Sequence, residues 1–174
     1  MNDPTQTSNV RSSVTLRPVG AADESLLLEI YASTRAEEMA MVPWTREQQE
    51  AFIRMQFAAQ QEYYLKLQPD ANHDIIMLND RPVGRLYVAR SEESIEIMDI
   101  ALLPQERNSG IGSSLIKALM DEATPLRPLR IYVESFNPSL GLFERLGFRA
   151  VEEQGIHLLM EWAPNSPGTI SSRA

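Results

Sequence analysis

The sequence predicts one α/β (α+β) domain built on a mixed sheet. Three observations lead there. Short apolar stretches of strand character run together rather than singly. Longer stretches with apolar residues at helical spacing interrupt them. The resulting order, β-α-α-β-β-β-α-β-α-β-β, lacks the strict alternation of a doubly wound dinucleotide fold.

Residues 14–19 alternate enough for a short strand. Asp23 stands as N-cap to a helix with Leu26, Leu27, Ile30 and Tyr31 on its apolar side. Pro43 breaks the stretch that follows. Thr45 and Gln48 form a capping-box pattern and open a long helix. Its apolar stripe reads as Phe52, Met55, Ala59 and Tyr63, and it ends before Pro69. Residues 74–78 and 83–89 form a hairpin across the turn-rich Asn79-Asp80-Arg81-Pro82. Residues 94–103 are a further strand, stopped by Pro104. Gly110 or Ile111 starts a helix with Ile111, Leu115 and Leu119 one turn apart. Residues 129–134 are a strand. A short helix over 138–146 ends at Gly147, which suits a left-handed terminator. Residues 148–153 and 156–162 close the domain as a strand pair around Gly155. His73 leads a strand, and Met120 and Met160 are core filler.

Composition excludes several classes. The 174-residue chain is 43% hydrophobic and 23% charged, ordinary for a globular protein. It has no cysteine, so disulfides, thiolate metal sites and a cysteine nucleophile are ruled out. Its net charge of −8 argues against nucleic-acid binding, where affinity rests on cationic contacts to phosphate. It mildly favours a cationic substrate such as an amine, although charge serving solubility alone explains it as well. No apolar run approaches the ~20 residues of a membrane helix, and the N-terminus lacks a signal-peptide core. Residues 13–163 read as one domain, with a disordered lead at 1–12 and a disordered tail at 164–174. The expected location is the cytoplasm.

The most informative segment is Arg107-Asn108-Ser109-Gly110-Ile111-Gly112, between a strand and a helix. Two glycines spaced by one permit close backbone approach. The free N–H groups at a helix N-terminus carry partial positive charge, which makes an anion site. No lysine follows the second glycine, so this is not an NTPase loop. On the glycines alone, a tight strand-to-helix turn explains the pattern equally well.

Context sharpens the reading. Residues 99–112 resemble the acetyl-CoA signature of the GNAT superfamily of N-acetyltransferases: a strand, a proline, then Q/R-x-x-G-x-G/A opening a helix. Arg107, Gly110 and Gly112 fill those positions. Downstream, Asn137 before a short helix that ends in Leu146-Gly147-Phe148 resembles the family's second signature. The resemblance spans residues 14–163. It implies a mixed, mostly antiparallel sheet of about seven strands flanked by about four helices.

It also implies a chemistry: an amine attacks the thioester of acetyl-CoA directly, in a ternary complex, with no metal. The backbone of Ala101, Leu102 and Leu103 would pair with the pantetheine arm and polarise the thioester carbonyl. Arg107, Asn108, Ser109, Gly110, Ile111 and Gly112 would cradle the pyrophosphate. Asn137 would hold the arm from the other side, and Phe143 counts among the coenzyme-binding residues. Glu96 matches the place of a catalytic glutamate in several family members, and Asp99 is a second candidate base. A strand-face glutamate meeting solvent or an arginine is the competing account of Glu96. Many relatives carry a proton-donating tyrosine at the position of Phe143, which has no proton to give. Tyr132 on the neighbouring strand is one substitute, water another, and unassisted departure of the thiolate a third; ordinary packing is the competing account of Tyr132.

The acceptor wall implied by the resemblance draws on Tyr31, Glu37, Glu38, Met41, Trp44 and His157. Trp44 reads equally as a staple onto the next helix. The expected partner is a small-molecule or protein amine, and the expected state a monomer or homodimer. A catalytically silent acyl-CoA-binding module on the same fold is the alternative, and a tRNA-directed transferase is disfavoured by the charge.

Overall fold

The computed structural model describes residues 13–164. The expected lead at 1–12 and residues 165–174 of the expected tail lie outside the described residues. The elements are β1 (Val14–Pro18), α1 (Glu24–Thr34), α2 (Ala36–Ala40), α3 (Arg46–Leu67), β2 (Asn72–Leu78), β3 (Arg81–Arg90), β4 (Ile95–Leu102), α4 (Ile111–Glu122), β5 (Leu129–Glu134), α5 (Leu140–Arg145), β6 (Arg149–Gln154) and β7 (His157–Trp162). Helix α2 was not expected. Its Ala-Glu-Glu-Met-Ala run favours a helix once the chain turns at Arg35, and Pro43 lies just beyond its end.

The seven strands form one sheet in the order β1-β2-β3-β4-β5-β7-β6. Every neighbouring pair is antiparallel except β4 and β5. A parallel pair needs a crossover, and α4 supplies it. Asn79 and Asp80, with φ of 48° and 64°, make the tight turn between β2 and β3. Gly84 on β3 is obligatory: a Cβ there would lie 2.4 Å from the carbonyl oxygen of Ala101.

The strands alternate their side chains between two buried layers. Ile76, Leu86, Val88, Ile95, Ile97 and Ile131 pack with Ile111, Leu115, Ile116 and Leu119 of α4 and with Phe143 of α5. Ile75 and Tyr87 pack on the opposite face with Leu27 and Tyr31 of α1 and Ile53 and Phe57 of α3.

The capping box of α3 is present, with Gln48 N donating to Thr45 Oγ1 and Thr45 N donating to Gln48 Oε1. Its buried stripe is not the expected one. Met55 and Tyr63 are exposed, and the inward positions are Ile53, Phe57, Gln60, Gln61 and Tyr64. Two glutamines on the inner face obscured the period. They face inward because polar side chains on the sheet need partners there. Asp23 likewise does not cap α1 with its side chain. Its carboxylate accepts from Gly20 N at 2.7 Å and pairs with Arg17, and these contacts hold its pKa down to about 2.

Candidate active site

Strands β4 and β5 pair only through Ile95–Leu129, Glu96–Arg130 and Ile97–Ile131. Past Ile97 their ladder ends and the strands part. At the same point β4 carries a β-bulge: Tyr87 faces Asp99 and Val88 faces Ile97, leaving Met98 as an extra residue. Beyond the bulge one edge of β4 is bonded to β3, and the other borders the gap. Leu103 N donates to Val83 O, so strand alternation turns the main-chain groups of Ala101 toward β3 and those of Ile100 and Leu102 toward the gap.

The loop at the end of β4 meets this gap. Asn108 and Gly110 have positive φ, 58° and 86°. Gly110 is the N-cap of α4, and among the described residues no side chain caps that helix. The first N–H groups of α4 are therefore offered to an outside acceptor. A Cβ at Gly110 or Gly112 would meet nothing within 4 Å, so open space borders the loop at both. A pyrophosphate fits such a cradle. Ser109 Oγ donates to Glu106 O at 2.5 Å. Arg107 reaches the other way, with Nε donating to Leu102 O at 3.0 Å and Nη2 donating to Ser33 Oγ at 3.0 Å and Ser33 O at 3.3 Å. It thus ties the loop to β4 and to the last turn of α1.

A family model for the Acetyltransferase (GNAT) family matches residues 29–148. The chain belongs to this family. Among curated protein sequences none matches it significantly. Solved structures carry the same fold at low identity. The PaiA N-acetyltransferase from Thermoplasma acidophilum, in complex with coenzyme A, superposes with a TM-score of 0.64 at 17% identity, covering 87% of this chain and 99% of that one. A GNAT family acetyltransferase from Elizabethkingia anophelis with acetyl-CoA bound gives 0.56 at 18% identity, covering 86% and 97%. The ribosomal-protein-S18-alanine N-acetyltransferase from Escherichia coli gives 0.55 at 17% identity, covering 91% and 98%.

Within this GNAT domain the candidate acid–base groups share one face. Ile95, Ile97, Ile131 and Val133 point into the α4 layer, so Glu96, Arg130 and Tyr132 point to the opposite side. Glu96 lies on the last paired stretch before the fork and is half-buried; burial pushes its carboxyl pKa up, and Arg130 pulls against that. Arg130 Nε donates to Glu161 at 2.7 Å. Tyr132 lies past the fork and is 47% exposed. Asp99 is nearly buried and salt-bridged to Arg85 at 2.6 Å; burial raises its pKa, with Arg85 opposing. Asn137 uses Oδ1 to accept from Ser139 N at 2.8 Å, at the approach to α5. Phe143 is 2% exposed and meets Phe148 edge-on, with ring centroids 5.4 Å apart.

The expected acceptor residues come from α1, α2, the segment before α3 and β7, with Glu38 within electrostatic range of Tyr31. Tyr31 is buried, tilted against Phe57 and with the Arg85 guanidinium 5.8 Å from its ring centroid. Glu38 is at the surface, paired with Arg35 at 3.0 Å. Glu37 and Met41 are exposed. Trp44 is half-exposed and packs edge-on against Phe52 of α3 at 5.1 Å, two turns into the helix. His157 lies 3.9 Å from Glu134 on the β5–β7 part of the sheet.

Residues absent from the sequence reading surround Asp99. Arg85, Gln60, Tyr64 and Tyr87 form a polar cluster beneath α3. The available signal was Arg85 itself, a cation in the middle of an otherwise apolar strand and in phase with Tyr87.

Proposed function

We propose that this chain is an acetyl-CoA-dependent N-acetyltransferase that moves an acetyl group to a primary amine of a small molecule or protein. One observation carries the reading: the parting of β4 and β5 after Ile97 and Ile131 runs straight into an uncapped glycine loop. The gap offers strand-edge partners to an amide-bearing arm, and the loop offers helix N–H groups to a pyrophosphate. The bound coenzymes of the two structural relatives support the same donor.

In this reading Ile100 and Leu102 present N–H groups to the thioester carbonyl and stabilise the oxyanion as it forms. Glu96 takes the proton of the attacking amine, a task its raised pKa suits. The amine nitrogen bonds to the carbonyl carbon, the C–S bond breaks, and the sulfur leaves as thiolate. Tyr132 is the hydroxyl on the right face to protonate it. Phe143 is a core residue with no such role.

Calorimetric titration with CoA, followed by thiol release from acetyl-CoA across an amine panel, tests this. Binding is expected, and Gly110→Leu, which forces a side chain onto φ of 86°, should abolish it while the fold survives. Unchanged CoA affinity in that variant would sink the loop assignment. The buried Phe143 favours a second reading, a silent acyl-CoA-binding module. CoA binding without transfer to any amine would select it.

A further inference from the structure

Arg85 is 1% exposed, in the centre of β3. Its Nη2 donates to Asp99 Oδ2 at 2.6 Å and to Gln60 Oε1 at 2.9 Å. Its Nε and Nη1 are buried with no hydrogen-bond partner among the described residues. The guanidinium lies 5.8 Å from the Tyr31 ring centroid and 5.4 Å from that of Tyr87. Such a site is costly. An apolar side chain of similar volume serves stability as well or better, so a buried pair of this kind calls for another reason.

Its location supplies one. Asp99 is the first residue after the β4 bulge and immediately precedes Ile100, whose N–H faces the gap. A bulge loosens the ladder at the extra residue, and a one-residue slip would turn every following main-chain group to the wrong edge. Asp99 is the side chain by which that slip can be prevented. Arg85 grips it from β3, and Gln60 braces Arg85 from α3. Both bonds leave the single Nη2, whose two hydrogens the planar guanidinium holds in fixed directions; a lysine ammonium turns freely about its stem and fixes neither.

We propose that Arg85, braced by Gln60, is a positioning residue for acyl transfer: through Asp99 it locks the bulge so that the Ile100 amide points at the thioester. This rests on the acetyltransferase reading above.

The test uses Arg85→Lys, Gln60→Leu and Gln60→Glu in the full chain. Gln60 is only half-buried on α3, so its variants should fold even if Arg85→Lys does not. Hydrogen exchange at residues 98–102 should rise about fivefold or more in Arg85→Lys and Gln60→Leu. CoA affinity should stay within about twofold, while turnover falls about tenfold or more at unchanged KM for acetyl-CoA. Gln60→Glu, which keeps an acceptor oxygen, should behave like the parent. Parental exchange and turnover in Gln60→Leu, or a loss confined to KM, would overturn the assignment. A parent chain that binds no CoA overturns the acetyltransferase reading, and this role with it. A parent that turns over equally well with Gln60→Leu overturns this role alone.

Discussion

On the α4–α5 face of the sheet the buried cluster is apolar throughout, whereas the α1–α3 face also encloses a guanidinium, a carboxylate and two buried phenols. The apolar face can be filled by any side chains of the right volume and pattern, and its cohesion grows with the area it removes from water. The other face holds groups that must each find a partner, since an unpaired buried charge costs far more than a lost contact. The gap between β4 and β5 lies where these two layers meet along the sheet. One layer holds the strands in place, and the other sets the direction of the groups along the open edge.

The largest expected effect comes from breaking the apolar side. Phe143 fills the cluster with Phe148 at its edge. Phe143→Ala should lower unfolding free energy by about 3–5 kcal/mol, measured by denaturant titration. Loss of under about 1 kcal/mol would show that α5 is not an integral part of that layer.

That contrast also explains what the sequence displayed. Helix α4 was legible because Ile111, Leu115 and Leu119 keep strict helical spacing on the apolar face. The glycine loop was legible because φ of 86° at Gly110 requires glycine. Helix α3 existed in the sequence, but its inner face did not. Gln60, Gln61 and Tyr64 point inward to serve Arg85, Asp99 and Tyr87, and a hydrophobic period cannot register a partner contributed by another strand. For the same reason Tyr31 reads as an acceptor residue from its chain position but lies against Phe57 and Arg85. Glu96 became a candidate through the family resemblance, and its neighbours Ile95 and Ile97 mark which face it takes. The bulge at Met98, which puts Asp99 beside Arg85, leaves no local trace.

A smaller effect sharpens the role of Phe143 itself. Phe143→Tyr adds a hydroxyl to a position 2% exposed, packed within the apolar cluster on the α4–α5 face. Stability should fall by about 1–3 kcal/mol as that hydroxyl goes unpartnered. Turnover in the folded fraction should change by no more than about threefold, because the residue packs rather than reacts. A large rise in turnover would show that the face of α5 reaches the leaving sulfur, and the division between a structural and a reactive layer would fail.

The smallest effect concerns the polar side alone. Burial raises the Glu96 carboxyl above its ordinary range, and Arg130 opposes that rise. A base works only when deprotonated, so turnover should be present above its pKa and lost as pH falls through it. Arg130→Met removes the opposing cation and releases Glu161, whose charge Arg130 now engages at 2.7 Å. Both changes disfavour ionised Glu96, so its pKa climbs further. The acid limb of the turnover profile should move to higher pH by about half a unit, with the plateau rate little changed. Glu96→Gln should remove the limb together with most of the plateau. A limb that stays in place in Arg130→Met, or survives in Glu96→Gln, would assign the titration to another group on that face. Asp99 is then the next to test, since it lies just past the fork on the same strand and burial has raised it too.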